Sequence, residues 1–311
     1  MPEKRPIGTC GIHVAPLALG GNVFGWTADE ATSFAILDAF VDSGGTMIDT
    51  ADVYSAWVPG HKGGESESLI GRWLKRSGRR NEVVIATKVG FFEGLAPEKI
   101  FAACDASLER LGVETIDLYY QHKDDQDVPL ADSLGAFDRL VESGKIRAIG
   151  LSQITAGRLD EAIETARSLG LTAPSALQPW YNLVEREKFE GELREVALKH
   201  GLGVFPFYGL ANGFLTGKYR SKEDLDKSVR GLRNVEYLEG RGMRVLDALD
   251  EVAAETGAAL ATVALAWTRA QPAITAPIAS ATSIPQLAEL VAAMELDLTP
   301  DQIARLDTAS A

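Results

Sequence analysis

Three features of the 311-residue sequence predict an α/β fold, a closed (β/α)8 TIM barrel that forms a single domain over residues 1–311. Eight short apolar segments alternate with segments of helical periodicity, which is typical of parallel strands joined by crossover helices. The length accommodates a typical barrel of about 250 residues with insertions. No Pro-, Gly- or Ser-rich linker divides the series. An open, doubly wound sheet is the alternative that the same alternation allows.

The predicted elements begin with an N-terminal β-hairpin over residues 5–14, followed by a strand at 17–19 and a helix at 27–43. Thr27 or Asp29 is the expected N-cap of this helix, and Gly44-Gly45 ends it. Further strands are predicted at 46–49, 83–87, 116–120, 146–151, 175–178, 202–207 and 273–278. The helices that follow are predicted at 65–77, 97–111, 130–143, 156–169, 186–200, 241–256, 259–270 and 284–294. An extra C-terminal helix is predicted at 300–309.

The bulk composition argues against several classes of partner. A net charge of −13 disfavours nucleic acid or an anionic membrane as the main partner. No apolar run approaches the roughly 18 residues of a membrane helix, and the first ten residues contain no apolar signal segment, so we expect a cytoplasmic protein. Cys10 and Cys104 lack metal-ligand spacing, and the four histidines are scattered, so no bound metal is expected.

Chemically active side chains follow three successive predicted strands, at the end of a barrel where catalytic residues lie. Asp49 ends the strand at 46–49, Lys88 follows the strand at 83–87, and His122 follows the strand at 116–120. By itself, an Asp49–Lys88 pair is better explained as a structural ion pair that holds the barrel together. Tyr54 lies five residues beyond Asp49, and an ammonium beside this phenol is expected to make it a better acid. Because the His122 imidazole can orient a carbonyl group by a hydrogen bond, the four residues together predict proton transfer to a carbonyl oxygen.

Short motifs recur in a fixed order along the chain. They are Asp49-Thr50-Ala51 with Tyr54, Ser66-Glu67, Thr87-Lys88, 118–122 (LYYQH), Gly150-Leu151-Ser152, Gln178 with Tyr181-Asn182, and 213–219 (GFLTGKY). Through these motifs the sequence resembles the aldo-keto reductase family over nearly its whole length. The resemblance implies a (β/α)8 barrel with a nicotinamide cofactor bound across its mouth. It also implies Tyr54 as general acid, Lys88 and Asp49 as the residues that tune it, and His122 as the residue that orients the carbonyl.

The resemblance further implies a set of cofactor contacts. The carboxamide contacts correspond to Ser152, Gln153 and Gln178, with Gln153 in place of the usual Asn. The ring that stacks on the nicotinamide corresponds to Phe207, with the neighbouring Tyr208 as second candidate. The residues that correspond to pyrophosphate contacts are Leu210, Asn212, Lys218 and Arg230.

The choice between the two nicotinamide dinucleotides depends on the stretch after the last strand. Ser280, Thr282 and Gln286 lie where the resemblance places the 2′-phosphate, but Leu290 replaces the usual Asn and no Lys or Arg occurs between Arg269 and Arg305. A 2′-phosphate is therefore expected to rest on hydroxyl groups, on Gln286 and on a helix N-terminus. NADP(H) is the favoured cofactor because the family uses it, and NAD(H) is the alternative.

Aromatic residues after several strand ends predict an apolar substrate pocket, and they are Phe24, Trp26, Trp57, Phe91, Phe92, Trp180 and Tyr181. We expect an oxidoreductase that interconverts an aldehyde or ketone and the corresponding alcohol. Its expected partner is this small molecule, with no nucleic acid or membrane, and a homo-oligomer is open. The alternatives are an NAD-dependent sugar dehydrogenase, a non-redox barrel enzyme, and a cofactor-sensing regulatory subunit, since potassium-channel β subunits resemble the same family. No additional segment precedes the hairpin, so the regulatory role is less expected than the enzymatic one.

Overall fold

The computed structural model describes residues 2–311, and in that range it contains a two-stranded hairpin and an eight-stranded parallel sheet. The hairpin pairs β1 (Arg5–Pro6) with β2 (His13–Val14) in antiparallel register. The strands of the parallel sheet are β3 (Ala18–Gly20), β4 (Met47–Asp49), β5 (Val84–Val89), β6 (Ile116–Gln121), β7 (Ile146–Ser152), β8 (Ala176–Gln178), β9 (Gly203–Val204) and β10 (Ile278–Ala279). They neighbour one another in sequence order from β3 to β9, and β10 lies beside β3.

The two ends of this sheet meet. Val204 of β9 forms a parallel bridge with Ile274, which lies just before β10. The Thr275 amide donates to the Val204 carbonyl at 2.9 Å, and the Ile278 amide donates to the Pro206 carbonyl at 2.8 Å. These contacts curl the sheet into a barrel, and the predicted (β/α)8 fold is confirmed.

Helices connect the strands. They are α1 (Glu30–Asp42), α2 (Glu65–Ser77), α3 (Pro97–Leu111), α4 (Leu130–Glu142), α5 (Ala156–Ser168), α6 (Glu192–His200), α7 (Arg241–Thr256), α8 (Leu260–Ala270), α9 (Ile284–Ala292) and α10 (Pro300–Ser310). Of the two N-cap candidates for α1, Asp29 is the cap, and its Oδ1 accepts from the Thr32 amide at 2.8 Å. Within residues 2–311, none of the helices combines the length and the apolar character that crossing a bilayer requires.

Three predicted elements differ from the observed ones for identifiable reasons. The helix expected at 186–200 is a 3-10 turn (Arg186–Lys188) followed by α6, because Gly191 adopts φ 88° and breaks the helical path. The strands expected at 202–207 and 273–278 shorten to β9 and β10. Each contains a proline, Pro206 or Pro277, which has no N–H to donate to a neighbouring strand. The segment between β9 and α7 carries three 3-10 helices, Ala211–Thr216, Lys222–Lys227 and Gly231–Leu238.

The hairpin closes the amino-terminal end of the barrel. Ile7, Ile12 and Val14 are buried against small and apolar residues from the strands, such as Met47 and Leu118. The contact is close at Gly8, where an added Cβ would lie 2.4 Å from the Ser175 carbonyl oxygen and φ is +49°. Any larger residue at this position would push the hairpin off the barrel. The carboxyl ends of the strands therefore form the open mouth.

Candidate active site

A buried ammonium lies at the centre of the barrel mouth. Asp49 ends β4 and Lys88 lies near the end of the adjacent β5, and both side chains are almost fully buried. Lys88 Nζ donates to Asp49 Oδ2 at 2.7 Å and to the Thr50 carbonyl at 2.6 Å. Its third contact is Tyr54 Oη at 3.4 Å. All three protons of the ammonium thus have an acceptor, and one of them is the phenol.

The imidazole of His122 faces the same phenol. His122 follows β6, and its ring centroid lies 6.0 Å from that of Tyr54 at an interplanar angle of 74°. Its Nδ1 is buried and has no hydrogen-bond partner in residues 2–311. Burial, together with the charge of Lys88, lowers the pKa of His122 well below its ordinary value. The ring is therefore neutral at physiological pH.

The acidity of Tyr54 reflects opposing effects. Burial raises the pKa of the Tyr54 hydroxyl, Lys88 lowers it, and Asp49 raises it again, so that the net change is upward. Lys88 thus acts in the expected direction on the pKa of the phenol, but burial outweighs the ammonium. Tyr54 consequently holds its proton at neutral pH, which is the form that a proton donor requires.

The three residues expected to contact the nicotinamide carboxamide have different positions: two are buried beside the ion pair, and one is exposed. Gln178 Nε2 donates to Asp49 Oδ1 at 2.9 Å, and Ser152 Oγ donates to the Gln178 carbonyl at 2.8 Å. These two residues are buried at the ends of neighbouring strands beside the ion pair. Gln153 is exposed, and its Nε2 instead donates to the His122 carbonyl at 3.0 Å. Gln153 therefore tethers the loop that carries His122.

Both candidates for the stacking ring lie at the mouth. Phe207 and Tyr208 are half-buried, and their ring centroids lie 5.8 Å and 4.6 Å from that of Trp180. The Tyr208 hydroxyl contributes to the raised pKa of Tyr54 and acts on Arg230, so it lies within electrostatic reach of the catalytic candidates. The assignment of Phe207 or Tyr208 as the stacking ring stays a prediction.

The segment expected to hold a pyrophosphate contains unpaired polar groups. Asn212 Oδ1 is buried without a hydrogen-bond partner in residues 2–311, and its backbone has φ 54°. The Lys218 ammonium lies 5.1 Å from the Tyr219 ring centre, and the Arg230 guanidinium lies 5.4 Å from that of Trp26. Burial lowers the pKa of Arg230, and no carboxylate contributes to the change. A diphosphate would pair with the two cations, whereas Asn212 Oδ1 is itself an acceptor and would need a donor. Leu210 lies beside them, half-buried against the core.

The residues expected at the 2′-phosphate form local hydrogen bonds near α9. Gln286 Oε1 accepts from the Thr282 amide at 2.9 Å and from the Thr282 hydroxyl at 3.0 Å. Ser280 Oγ donates to Asn22 Oδ1 at 2.7 Å. Leu290 is buried in the core, so it takes no part in this surface.

Aromatic rings border the two catalytic candidates. Trp57 contacts Trp26 and Tyr54 edge to face, with centroid distances of 5.7 Å in both pairs. On the other side, Phe91 lies 4.9 Å from His122 and 4.9 Å from Phe92. The prediction that Phe24 and Tyr181 also line this wall is wrong, because both side chains are fully buried in the packing between barrel and helices.

Glu65 fixes the loop that carries Trp57, and no sequence pattern identifies it in this role. Its carboxylate accepts from the amides of Ser55, Lys62 and Gly63 at 3.2, 2.8 and 3.0 Å. Ser55 Oγ also lies 2.9 Å from His61 Nδ1. The loop is therefore closed on itself at both ends.

A second buried polar cluster lies behind the ion pair. Glu67 is fully buried, and its carboxylate accepts from Thr87 Oγ1 at 2.5 Å and from Arg110 Nε at 2.7 Å. Nearby, burial together with the charge of Glu67 raises the pKa of Asp52 from 3.8 to about 7. Asp52 Oδ1 is buried without a hydrogen-bond partner in the described residues.

Asp52→Asn is expected to stabilise the protein in a pH-dependent way. The pKa of Asp52 is higher in the folded than in the unfolded state, so its carboxyl group ionises more readily in the unfolded chain. Between these two pKa values, a rise in pH therefore lowers the free energy of unfolding. The substitution should raise the free energy of unfolding at about pH 8 by at most about 4 kcal/mol, and by less than half of that at about pH 5. Urea unfolding at the two pH values measures this. Asp226→Asn, at an exposed carboxylate, is the control, and an equal effect of both substitutions would contradict the assignment.

In the part of the chain that the structure describes, two other clusters of charged residues have most of their charges already paired. A cleft of about 1370 Å³ lies at the opposite, amino-terminal end of the barrel. Its arginines are engaged with carboxylates, as Arg80 and Arg147 are with the buried Asp117. Asp160, Glu164 and His200 converge on the outer surface, but Lys199 already binds Asp160 at 2.7 Å.

The fold and this geometry define a (β/α)8 barrel protein with a hydrogen-bonded acid, lysine and tyrosine at its mouth and a histidine ring facing the tyrosine. The family model described as Aldo/keto reductase family matches residues 16–311. The chain belongs to the aldo/keto reductase family. The family supports a role in carbonyl/alcohol oxidoreduction, and its members generally use NAD(P)H.

Three relatives illustrate the range of the similarity. The chain is 34% identical to the uncharacterized oxidoreductase YrpG of Bacillus subtilis, over 98% of this chain and 95% of the relative. It is 30% identical to a probable voltage-gated potassium channel subunit beta of Oryza sativa, again over 98% and 95%. It is 31% identical to norsolorinic acid reductase B of Aspergillus parasiticus, over 96% of this chain and 81% of the relative.

Proposed function

We propose that this protein is an NAD(P)(H)-dependent oxidoreductase that interconverts an aldehyde or ketone and the corresponding alcohol. The observation that carries the proposal is the Lys88 ammonium, which contacts both Asp49 Oδ2 at 2.7 Å and Tyr54 Oη at 3.4 Å. A buried ion pair that touches a protonated phenol at the mouth of a barrel supports proton transfer to a bound oxygen. The names of the B. subtilis and A. parasiticus relatives also support an oxidoreductase.

The residues at the mouth fit a nicotinamide dinucleotide. Lys218 and Arg230 would hold its pyrophosphate, since in residues 2–311 these cations lie over aromatic rings rather than against carboxylates, and Asn212 would donate from its side-chain amide. Ser152 and Gln178 would meet the carboxamide, and Phe207 or Tyr208 the ring. Ser280, Thr282 and Gln286 would surround the 2′-phosphate. When bound, the nicotinamide supplies or accepts the hydride.

The side chains of the protein supply the proton and the orientation. His122, whose neutral ring faces Tyr54, would donate a ring N–H to the substrate oxygen and hold it near Tyr54. Tyr54 donates its hydroxyl proton to this oxygen during reduction and takes it back during alcohol oxidation. Lys88 stabilises the phenolate that remains, and Asp49 keeps the ammonium charged. Burial lowers the pKa of Lys88, but Asp49 and Tyr54 offset this, and the net pKa is raised.

NADPH is expected to bind more tightly than NADH. The side-chain amide of Gln286 offers donors to a 2′-phosphate, and the hydroxyls of Ser280 and Thr282 would join it once they turn away from Asn22 and Gln286. Fluorescence titration with each dinucleotide, followed by a carbonyl screen, measures the two dissociation constants and the two Michaelis constants. Equal use of both, or a preference for NADH, would refute this choice of cofactor.

Arg230→Gln and Lys218→Gln are expected to weaken both dinucleotides alike, each by about tenfold, because the pyrophosphate is common to the two cofactors. The control is Lys222→Gln, on an exposed 3-10 helix of the same segment. Weakening of NADPH alone would instead place these cations at the 2′-phosphate, and an unchanged affinity would remove them from the site.

The similarity to a potassium channel β subunit favours a second candidate function, a cofactor-sensing regulatory subunit. The two functions differ in kinetics. An enzyme releases its oxidised cofactor in every turnover, whereas a sensor retains it. Gel filtration of the protein with bound NADPH, followed by single-turnover and steady-state assays, distinguishes them, since a sensor would keep the cofactor and turn over slowly.

A further inference from the structure

The first turn of α2 is hydrogen-bonded to the segments that carry Lys88 and Tyr54. Ser66 and Glu67 belong to this turn, and both are fully buried. The first amides of an α-helix have no acceptor within the helix itself. One of them, the Ser66 amide, donates to the Tyr54 carbonyl at 3.4 Å. The start of α2 therefore holds the backbone of the proposed proton donor.

The Ser66 side chain fixes the residue whose carbonyl binds the ammonium. Ser66 Oγ accepts from Thr50 Oγ1 at 2.8 Å and donates to the Gly21 carbonyl at 2.8 Å. The carbonyl of the same Thr50 accepts from Lys88 Nζ at 2.6 Å. Because Thr50 is held by its side chain, its carbonyl stays directed at the ammonium. Ser66 thus acts on Tyr54 through its backbone and on Lys88 through its hydroxyl.

The Glu67 side chain holds the strand that carries Lys88. Successive side chains of a strand point to opposite faces, so Thr87 faces the helices while Lys88 points into the mouth. The Glu67 carboxylate accepts from Thr87 Oγ1 at 2.5 Å. Arg110 Nε donates to the same carboxylate at 2.7 Å and balances its buried charge. One helical turn therefore fixes the strand that bears the ammonium and a carbonyl that accepts from it.

The contact between Lys88 Nζ and Tyr54 Oη is sensitive to small movements, because its 3.4 Å separation is already long for a hydrogen bond. A misplacement of about 1 Å in an active site can cost about 100-fold in rate. We propose that Ser66 and Glu67 are positioning residues that set the separation of Lys88 and Tyr54. The inference rests on the proposed function, since the two residues act on the reaction only through this pair.

The test removes the hydroxyl partners of the two residues and keeps the side-chain shape. Thr50→Val deletes the bond to Ser66, and Thr87→Val deletes the bond to Glu67. Each variant is expected to lower kcat for the reduction of benzaldehyde by NADPH by about 10- to 100-fold, with the KM for NADPH within about twofold of the wild type. Thr50→Ser and Thr87→Ser keep the hydroxyl and should restore most of kcat. If one valine variant does not fold, the other decides.

Thr46→Val is the matched control for the loss of a buried hydroxyl. Thr46 immediately precedes the same strand as Asp49, at the closed end of the barrel, and its Oγ1 accepts from the Ala15 amide at 2.8 Å. Its removal leaves a buried amide unpaired, so resistance to urea should fall while kcat stays unchanged. A loss of kcat equal to that of the two test variants would mean that any missing buried hydrogen bond slows the enzyme, and would overturn the inference.

Crystal structures of the two valine variants separate this inference from the proposed function, because they require no turnover. The distance from Lys88 Nζ to Tyr54 Oη is expected to exceed about 4 Å in each variant, beyond the reach of a hydrogen bond. An unchanged distance, a wild-type kcat in both valine variants, or serine variants as slow as the valine variants would refute the positioning role. If the wild type reduces no carbonyl with either dinucleotide, the proposed function fails, and the measured distances still decide what Ser66 and Glu67 hold in place.

Discussion

Tyr54→Phe is expected to lower kcat by about 10²–10⁴-fold, the usual contribution of a general acid, and to leave the dissociation constant of the cofactor within about twofold. The substitution removes one oxygen atom, which contacts the Lys88 ammonium at 3.4 Å and carries a transferable proton at neutral pH. The ring stays, so its contacts with Trp57 and His122 persist. Steady-state kinetics and fluorescence titration measure the two quantities separately.

Tyr119→Phe is the matched control for this prediction. Tyr119 is also buried, and its hydroxyl has no hydrogen-bond partner in residues 2–311. It packs on Phe137, on the outer side of the barrel. The same chemical change there should leave kcat unaltered. A Tyr54→Phe variant with the turnover of the wild type would remove Tyr54 from the reaction.

Lys88→Met is expected to affect stability and catalysis together. Removal of the ammonium leaves Asp49 as a buried charge with one remaining partner, Gln178, which should cost about 3–5 kcal/mol of unfolding free energy. It also removes the ammonium that contacts Tyr54 and lowers its pKa, so proton transfer should slow by at least about 100-fold. Urea unfolding and kcat are the two measurements.

The double variant Lys88→Met/Asp49→Asn separates a structural ion pair from a catalytic one. With both charges gone, the buried carboxylate no longer needs a partner, and most of the lost stability should return. Turnover should remain low, because the ammonium beside Tyr54 is still absent. Recovery of turnover along with stability would mean that the pair only supports the fold.

The barrel can be predicted from the sequence because the alternation of strands and helices is a pattern of neighbouring residues along the chain. Each strand is a short apolar run that ends before a loop, and helix boundaries such as 65–77, 97–111 and 241–256 follow from capping residues and apolar spacing. The hydrogen bonds that close the barrel are not local. Val204 and Ile274 meet across about seventy residues of intervening chain, within short strands that Pro206 and Pro277 interrupt.

The sequence predicts which residues form the candidate site, but it does not predict their acidity or all of their hydrogen bonds. That Asp49, Lys88 and His122 lie together follows from their places at the ends of neighbouring strands. The net acidity of Tyr54 does not follow, because it depends on how much water the surrounding loops exclude. The contact of Gln153 with the His122 carbonyl could not be predicted either. The spacing of motifs along the chain does not specify which partner the Gln153 side chain reaches.

The sealed amino-terminal end of the barrel has a kinetic consequence. With Ile7, Ile12 and Val14 packed into that end, ligands can reach Lys88 and Tyr54 only from the opposite side. Direct hydride transfer between a dinucleotide and a carbonyl compound requires both of them to be bound in this one mouth at the same time. For the proposed function we therefore expect a sequential rather than a ping-pong rate law.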